Sequence, residues 1–248
     1  MASTTRSTQQ VPGLNCPLTK DHVERSRKMY NSLPEHTKRS SIEGHLPAFQ
    51  HMFVQYGVTN KLGIHLRHGH FKLPENHILV GTSVSKPLCR WARTQHFDNI
   101  NLHSVHGHIF ALDDSGQLHP YEFHEANYQE AIPADFLDAF VKYINDNGLQ
   151  TEAGLQILLP EFKDQCMSEI PFTDQTIMLD IKHLNGLKPG TVTGWTFSLT
   201  ECTAGEMHAE TGDGHEKVNV GAPLPDNVHG LCRILIDRGA LSPDCVGA

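Results

Sequence analysis

His65-Leu66-Arg67-His68-Gly69-His70-Phe71 has its spacing repeated further along the chain, as His103-Ser104-Val105-His106-Gly107-His108-Ile109. Each copy reads His-x-x-His-Gly-His followed by an apolar residue. β-Branched or aromatic residues nearby and turn residues on either side predict strand for both. In a strand, residues two apart share a face. His68 therefore projects with His70, and His106 with His108, while His65 and His103 lie on the opposite faces. Two imidazoles at this spacing on a rigid strand make half of a metal site, which a neighbouring strand can complete.

The turn Asp113-Asp114-Ser115-Gly116 extends the pattern. With Gly116 left-handed it forms a three-residue hairpin loop with a bulge. Asp113 then faces Gln117, His108 faces Glu122 and His106 faces His124, all on one side of the sheet. Closure one residue earlier, with Leu112 opposite Gln117, would turn Glu122 and His124 to the other face.

Working outward, residues 1–15 read as a disordered Ser/Thr/Gln-rich tail and 16–248 as a single domain. A helix is expected over Pro17–Leu33, capped by Thr19, and another over Ser41–Tyr56. Strands are expected at Leu62–Phe71, His77–Ser83, Leu102–Leu112 and Gln117–His124. Pro133–Asn147 is helical: Phe136, Phe140, Tyr143 and Ile144 share a face, and Gly148 ends it. Further strands fall around Leu155–Leu159, Ile177–Asp180, Gly194–Thr203 and Gly230–Ile236, with 203–229 a long polar loop. The fold class this predicts is α+β: a mainly antiparallel sheet with helices at the N-terminus and at about 133–147.

Composition sets outer limits. The 248 residues are 38% hydrophobic and 19% charged, an ordinary globular balance. A net charge of −8 with neutral histidines argues against a nucleic-acid surface or a polybasic membrane patch. Six scattered cysteines without a Cys-x-x-Cys pair, no apolar leader and no membrane-length run predict a cytoplasmic protein with reduced thiols.

The chemistry these residues suggest is metal-dependent. His68, His70, His106 and His108 are the candidate ligands, and Glu122, His124 and Glu201 the candidate catalytic groups. Zinc needs three protein ligands and an open position for water, whose pKa it lowers to about 7. A carboxylate beside it can be a ligand, an orienter of an imidazole, or the base. Two histidines and one carboxylate suit Fe2+ equally. The expected function is a zinc-dependent lyase or hydrolase acting on a small organic molecule, with a non-haem Fe(II) oxygenase as the alternative. A non-catalytic metal-binding or interaction protein is the third reading, in which histidine-rich strands are half-exposed surfaces. His77, His96, His183 and His215 read as surface or packing residues, Cys202 and Cys232 as small apolar ones. No phosphate-binding or dinucleotide fingerprint is present.

Tyr56-Gly57-Val58-Thr59-Asn60-Lys61-Leu62-Gly63-Ile64-His65-Leu66-Arg67-His68-Gly69-His70-Phe71, with the later Pro120-Tyr121-Glu122-Phe123, resembles uncharacterised filamentous-fungal proteins that carry a His-x-His-Phe strand. That resemblance implies no activity. At site level His68 with His70, or His106 with His108, is similar to the His-x-His strand of α-type carbonic anhydrases, where a neighbouring strand adds a third histidine. Cyclopenase-type zinc proteins of fungal secondary metabolism, themselves compared with carbonic anhydrases, add a ring-contracting elimination as an expected activity.

Overall fold

The computed structural model describes residues 9–34, 41–126, 131–210 and 224–246. Its strands are β1 (Leu62–Leu66), β2 (His77–Ser85), β3 (Leu88–His96), β4 (Val105–Leu112), β5 (Leu118–Glu125), β6 (Ala153–Ile157), β7 (Met167–Pro171), β8 (Gln175–Asp180), β9 (Lys188–Phe197) and β10 (Cys202–Glu210). They close into a barrel in the order β1-β6-β4-β5-β2-β3-β8-β7-β10-β9. β9 returns to β1 through Ile64↔Trp195 and His65↔Gly194. The pairings β2 with β5 and β7 with β10 are parallel. Among the described residues four α-helices lie around the barrel: α1 (Lys20–Ser32), α2 (Leu46–Gln55), α3 (Ala134–Asp146) and α4 (Val228–Asp237).

The α+β expectation is therefore corrected to a closed, mixed β-barrel with short helices. Closure pairs segments far apart in sequence, such as β1 with β6 and β9, and local periodicity carries no record of such partners.

The barrel reverses the usual side-chain alternation. Apolar residues face outward under the helices, and many polar ones face inward. Phe49 and Phe53 of α2 and Phe136 and Phe140 of α3 pack with Leu62, Ile64, Phe110 and Leu155. On another side Leu231, Cys232 and Leu235 of α4 cover Cys89, Trp91, Ile177 and Leu179. Between those outward residues the alternate positions Arg90 and Met178 touch each other on the inner side. Leu79, Ala92, Ile109 and Tyr121 join Tyr30 and Leu33 near the end of α1, with Phe71, in a further apolar cluster. That cluster fills one part of the interior; elsewhere polar residues such as Arg90 and Glu206 mix with Met167 and Met178.

Several local expectations change. Val11 and Leu14, read as part of a disordered tail, are buried, and the Gly13 carbonyl accepts from Gly107 N at 2.8 Å. Residues 1–8 lie outside the described residues. The strand expected over Leu62–Phe71 stops at Leu66. The single strand expected at Gly194–Thr203 is the turn of the β9–β10 hairpin, so the loop expected from 203 is strand as far as Glu210. Positions 211–223 of that loop lie outside the described residues. Gly230–Ile236 is helix, capped by the Asn227 side chain, which accepts from Gly230 N. Strands β3 and β7 were not anticipated: charged residues, Arg90 and Arg93 in β3 and Glu169 in β7, stand among their apolar ones. Among the described residues no helix is long and apolar enough to cross a membrane.

Candidate metal centre

After Leu66 the chain leaves the barrel wall and turns across the interior, where main-chain bonds fix it. Arg67 N donates to the Glu152 carbonyl at 2.8 Å and Gly69 N to that of Pro34 at 2.9 Å. His70 N donates to the Tyr30 hydroxyl at 3.4 Å. A Cβ on Gly69 would sit 3.3 Å from the Leu33 Cβ, so glycine permits this close approach to the end of α1.

The turn brings His68 and His70 up to β7 and β10, which lie side by side. In their parallel register Glu206 pairs with Met167 and His208 with Glu169. His68, His70, Glu169 and His208 are all buried, and one potential ligand atom from each lies within 4.8 Å of the others. The Glu169 carboxylate oxygen is 2.9 Å from His70 Nε2, 3.5 Å from His68 Nε2 and 3.7 Å from His208 Nε2. His68 Nε2 and His208 Nε2 are 2.9 Å apart.

Two features suit this arrangement to a cation. His68 Nδ1 lies 2.7 Å from the Leu66 carbonyl. Donating a proton there leaves the Nε2 lone pair facing the cluster, the orientation a metal-bound histidine requires. His70 Nε2 has no aligned hydrogen-bond partner among the described residues despite its short contact with Glu169. Three imidazole nitrogens and a carboxylate with one shared centre can hold a metal ion.

The electrostatics depend on burial. Burial opposes charge on Glu169, yet the neighbouring His70 and His68 outweigh it and hold the carboxyl well below its usual range. Burial likewise opposes charge on His68, but bonding to Glu169 raises its pKa. His65 lies beside the cluster, its ring stacked on His68 at 5.0 Å. Burial, followed by the charge of His68, keeps it well below the usual histidine range. Its Nε2 is 3.6 Å from Glu206 Oε2, and its Nδ1 is 3.2 Å from the Tyr121 hydroxyl. Glu206 accepts a hydrogen bond from Gln156; burial pushes its carboxyl up to about 7.

A cavity of about 850 Å³ adjoins the centre, with Glu206, Gln156, Arg90 and His108 among its walls. Met167 and Glu206 also line it, each two residues before a cluster member on the same strand. The ligand cluster thus lies one step beyond the cavity wall along β7 and β10.

The predicted residues separate accordingly. His68 and His70 enter the cluster, but through a turn; because the strand ends first, His65 is at the centre too and not on an opposite face. The Asp113 turn has Gly116 at φ 77° and Asp113 N bonded to the Gln117 carbonyl at 2.9 Å. His106 faces His124 as the hairpin register predicts. Bulges between them and the turn put Glu122 opposite Ile109, so His108 has no partner in that ladder. Neither His106 nor His108 joins the four-residue cluster. His106 is half-buried, and His108 is buried at the cavity. Glu122 accepts from Arg90 Nη2 at 3.2 Å. His124 Nε2 lies 3.3 Å from the Ser83 hydroxyl. Glu201 is exposed near the β9–β10 turn and lines the cavity.

Glu169, His208, Arg90 and Glu206 were missed from sequence. The available signal was the polar alternation itself: Glu206-Met207-His208 repeats the two-residue spacing of His68-Gly69-His70. Comparison with family models, curated proteins and solved structures finds no match. Fold and site together define a closed β-barrel with a buried three-histidine, one-glutamate cluster able to hold a metal ion.

Proposed function

We propose that this protein is a metal-dependent lyase or hydrolase acting on a small organic molecule. The convergence of His68, His70, His208 and Glu169 beside a cavity of about 850 Å³ carries this reading. Zinc is the first choice of metal: three neutral imidazoles supply the protein ligands of an open zinc site. A bound zinc ion would act as a Lewis acid and activate water near neutral pH. Glu169 lies close enough to serve as a further ligand or to orient that water. Glu206, on the cavity wall and bonded to Gln156, is placed to carry a proton. Tyr30 and Tyr121 of the apolar cluster abut the centre, their hydroxyls meeting His70 N and His65 Nδ1.

One observation favours a second metal. With all four donors engaged a tetrahedral zinc is closed, whereas an octahedral ion retains two positions. Iron(II) in a non-haem oxygenase is the reading that follows.

Elemental analysis of chelated and reconstituted protein tests both readings. About one metal per chain, lost in His208→Ala and Glu169→Ala but retained in His106→Ala, is the expected result. Zinc-supported turnover without oxygen favours the first reading, and oxygen-dependent turnover with iron the second. A chain that takes up neither metal under any reconstitution condition would refute both.

A further inference from the structure

Arg90 is a buried cation with donors left over. Its Nη2 donates to Glu122 at 3.2 Å and to the Phe123 carbonyl at 3.3 Å. Nη1 faces the Met178 sulfur at 3.6 Å, a weak acceptor. Nε has no partner among the described residues. The neighbouring strand leaves room for this side chain: a Cβ on Gly81 would lie 2.4 Å from Nε. The slot therefore holds a guanidinium against the cavity without using all its hydrogen bonds.

His108 makes the second half of the site. It is 2% exposed, it lines the same cavity, and neither ring nitrogen has a partner among the described residues. A buried polar group without a partner costs free energy, so one left at a cavity wall is matched to something that enters. Its neutral ring offers one donor and one acceptor. The same cavity also presents Met167, Met178 and Phe197, Met178 lying against Arg90 itself.

We propose that Arg90 and His108 bind the carboxylate of a small organic acid in this cavity, with Met167, Met178 and Phe197 receiving its apolar part. The assignment deepens the enzymatic reading above by naming its substrate class. A monoanion suits a single arginine already shared with Glu122. A phosphate dianion would bring a second negative charge close to Glu122 and Glu206, for which this arginine alone has no matching cation.

The test is calorimetric titration of the full chain with benzoate, its neutral isostere benzamide, and inorganic phosphate. Each is measured on metal-loaded and on chelated protein. Benzoate is expected to bind at least about tenfold more tightly than benzamide or phosphate, as charge-assisted hydrogen bonds to a buried arginine imply. Arg90→Gln/Glu122→Gln removes the cation without stranding the carboxylate, and should abolish the preference for benzoate over benzamide. His108→Gln, in which Arg90 and Glu122 are untouched, should reduce benzoate affinity and keeps the test alive should the double variant not fold. Equal affinity for acid and amide, tighter binding of phosphate, or unchanged benzoate affinity in the double variant would overturn the assignment. Benzoate binding that vanishes on chelation yet ignores the double variant places the anion on the metal; this refutes the Arg90 site and leaves the metal reading intact. Arg90-dependent benzoate binding in a chain that takes up no metal supports this site and removes the metal reading.

Discussion

Replacing His208 by alanine separates a metal ligand from a buried packing residue. In metal-free protein the change removes the 2.9 Å contact with His68 and leaves a small void, a cost of about 1–3 kcal/mol. That loss alone says nothing about metal. The informative quantity is the increment on adding metal. An ion that binds only the folded chain stabilises it by about 2.7 kcal/mol when free metal is about a hundred times its dissociation constant. For a chain of this size each kcal/mol raises the melting temperature by about 2–4 °C, so wild type should gain about 5–11 °C. If losing His208 weakens affinity about a thousandfold, the same metal concentration adds less than about 0.1 kcal/mol, and the increment disappears. Differential scanning fluorimetry at buffered free zinc, with His106→Ala as the control, measures it. A full increment in His208→Ala, or its loss in His106→Ala, would refute the reasoning.

Three further outcomes follow from the packing and the charges. Gly81→Ala places a methyl 2.4 Å from Arg90 Nε and should cost about 1–3 kcal/mol by urea denaturation; a neutral effect would show that the guanidinium is not seated there. His124 has its pKa pushed down to about 3, first by burial and then by Arg90, from an ordinary 6.5. It stays neutral when folded, while the unfolded chain takes up the proton below about pH 6.5, so its contribution is lost as pH falls. Between pH 7.5 and 5.5 the unfolding free energy of wild type should therefore fall by about 1.4 kcal/mol relative to His124→Gln; a constant gap refutes the burial of a neutral imidazole. Phe136→Ala, beneath Phe53 and Phe140, should cost about 3–5 kcal/mol while leaving metal stoichiometry unchanged. Loss of metal in folded Phe136→Ala would tie the centre to the α2–α3 layer.

The sequence by itself determined what short-range physics controls. Thr19 caps α1 by accepting from His22 N. Pro133 and Gly148 bracket α3, whose Phe136, Phe140 and Ile144 are buried. Gly116 sets the β4–β5 turn, and the spacing of His68 and His70 marked one half of the centre. Each of these depends on neighbours a few residues away.

The other half was decided by tertiary structure. Glu169 and His208 are 101 and 140 residues beyond His68, and the parallel pairing of β7 with β10 makes them partners. Neither belongs to a local motif, and β7 sets a carboxylate between Ser168 and Ile170, with Met167 on its own face. Arg90, Glu169 and His208 reach the interior because the barrel turns most of its apolar faces out to the helices, and that inversion exists only once the sheet has closed. The strand reading failed at His65 for a related reason. Bonds from Arg67, Gly69 and His70 to Glu152, Pro34 and Tyr30 bend the chain inward after Leu66, and all three partners are distant in sequence.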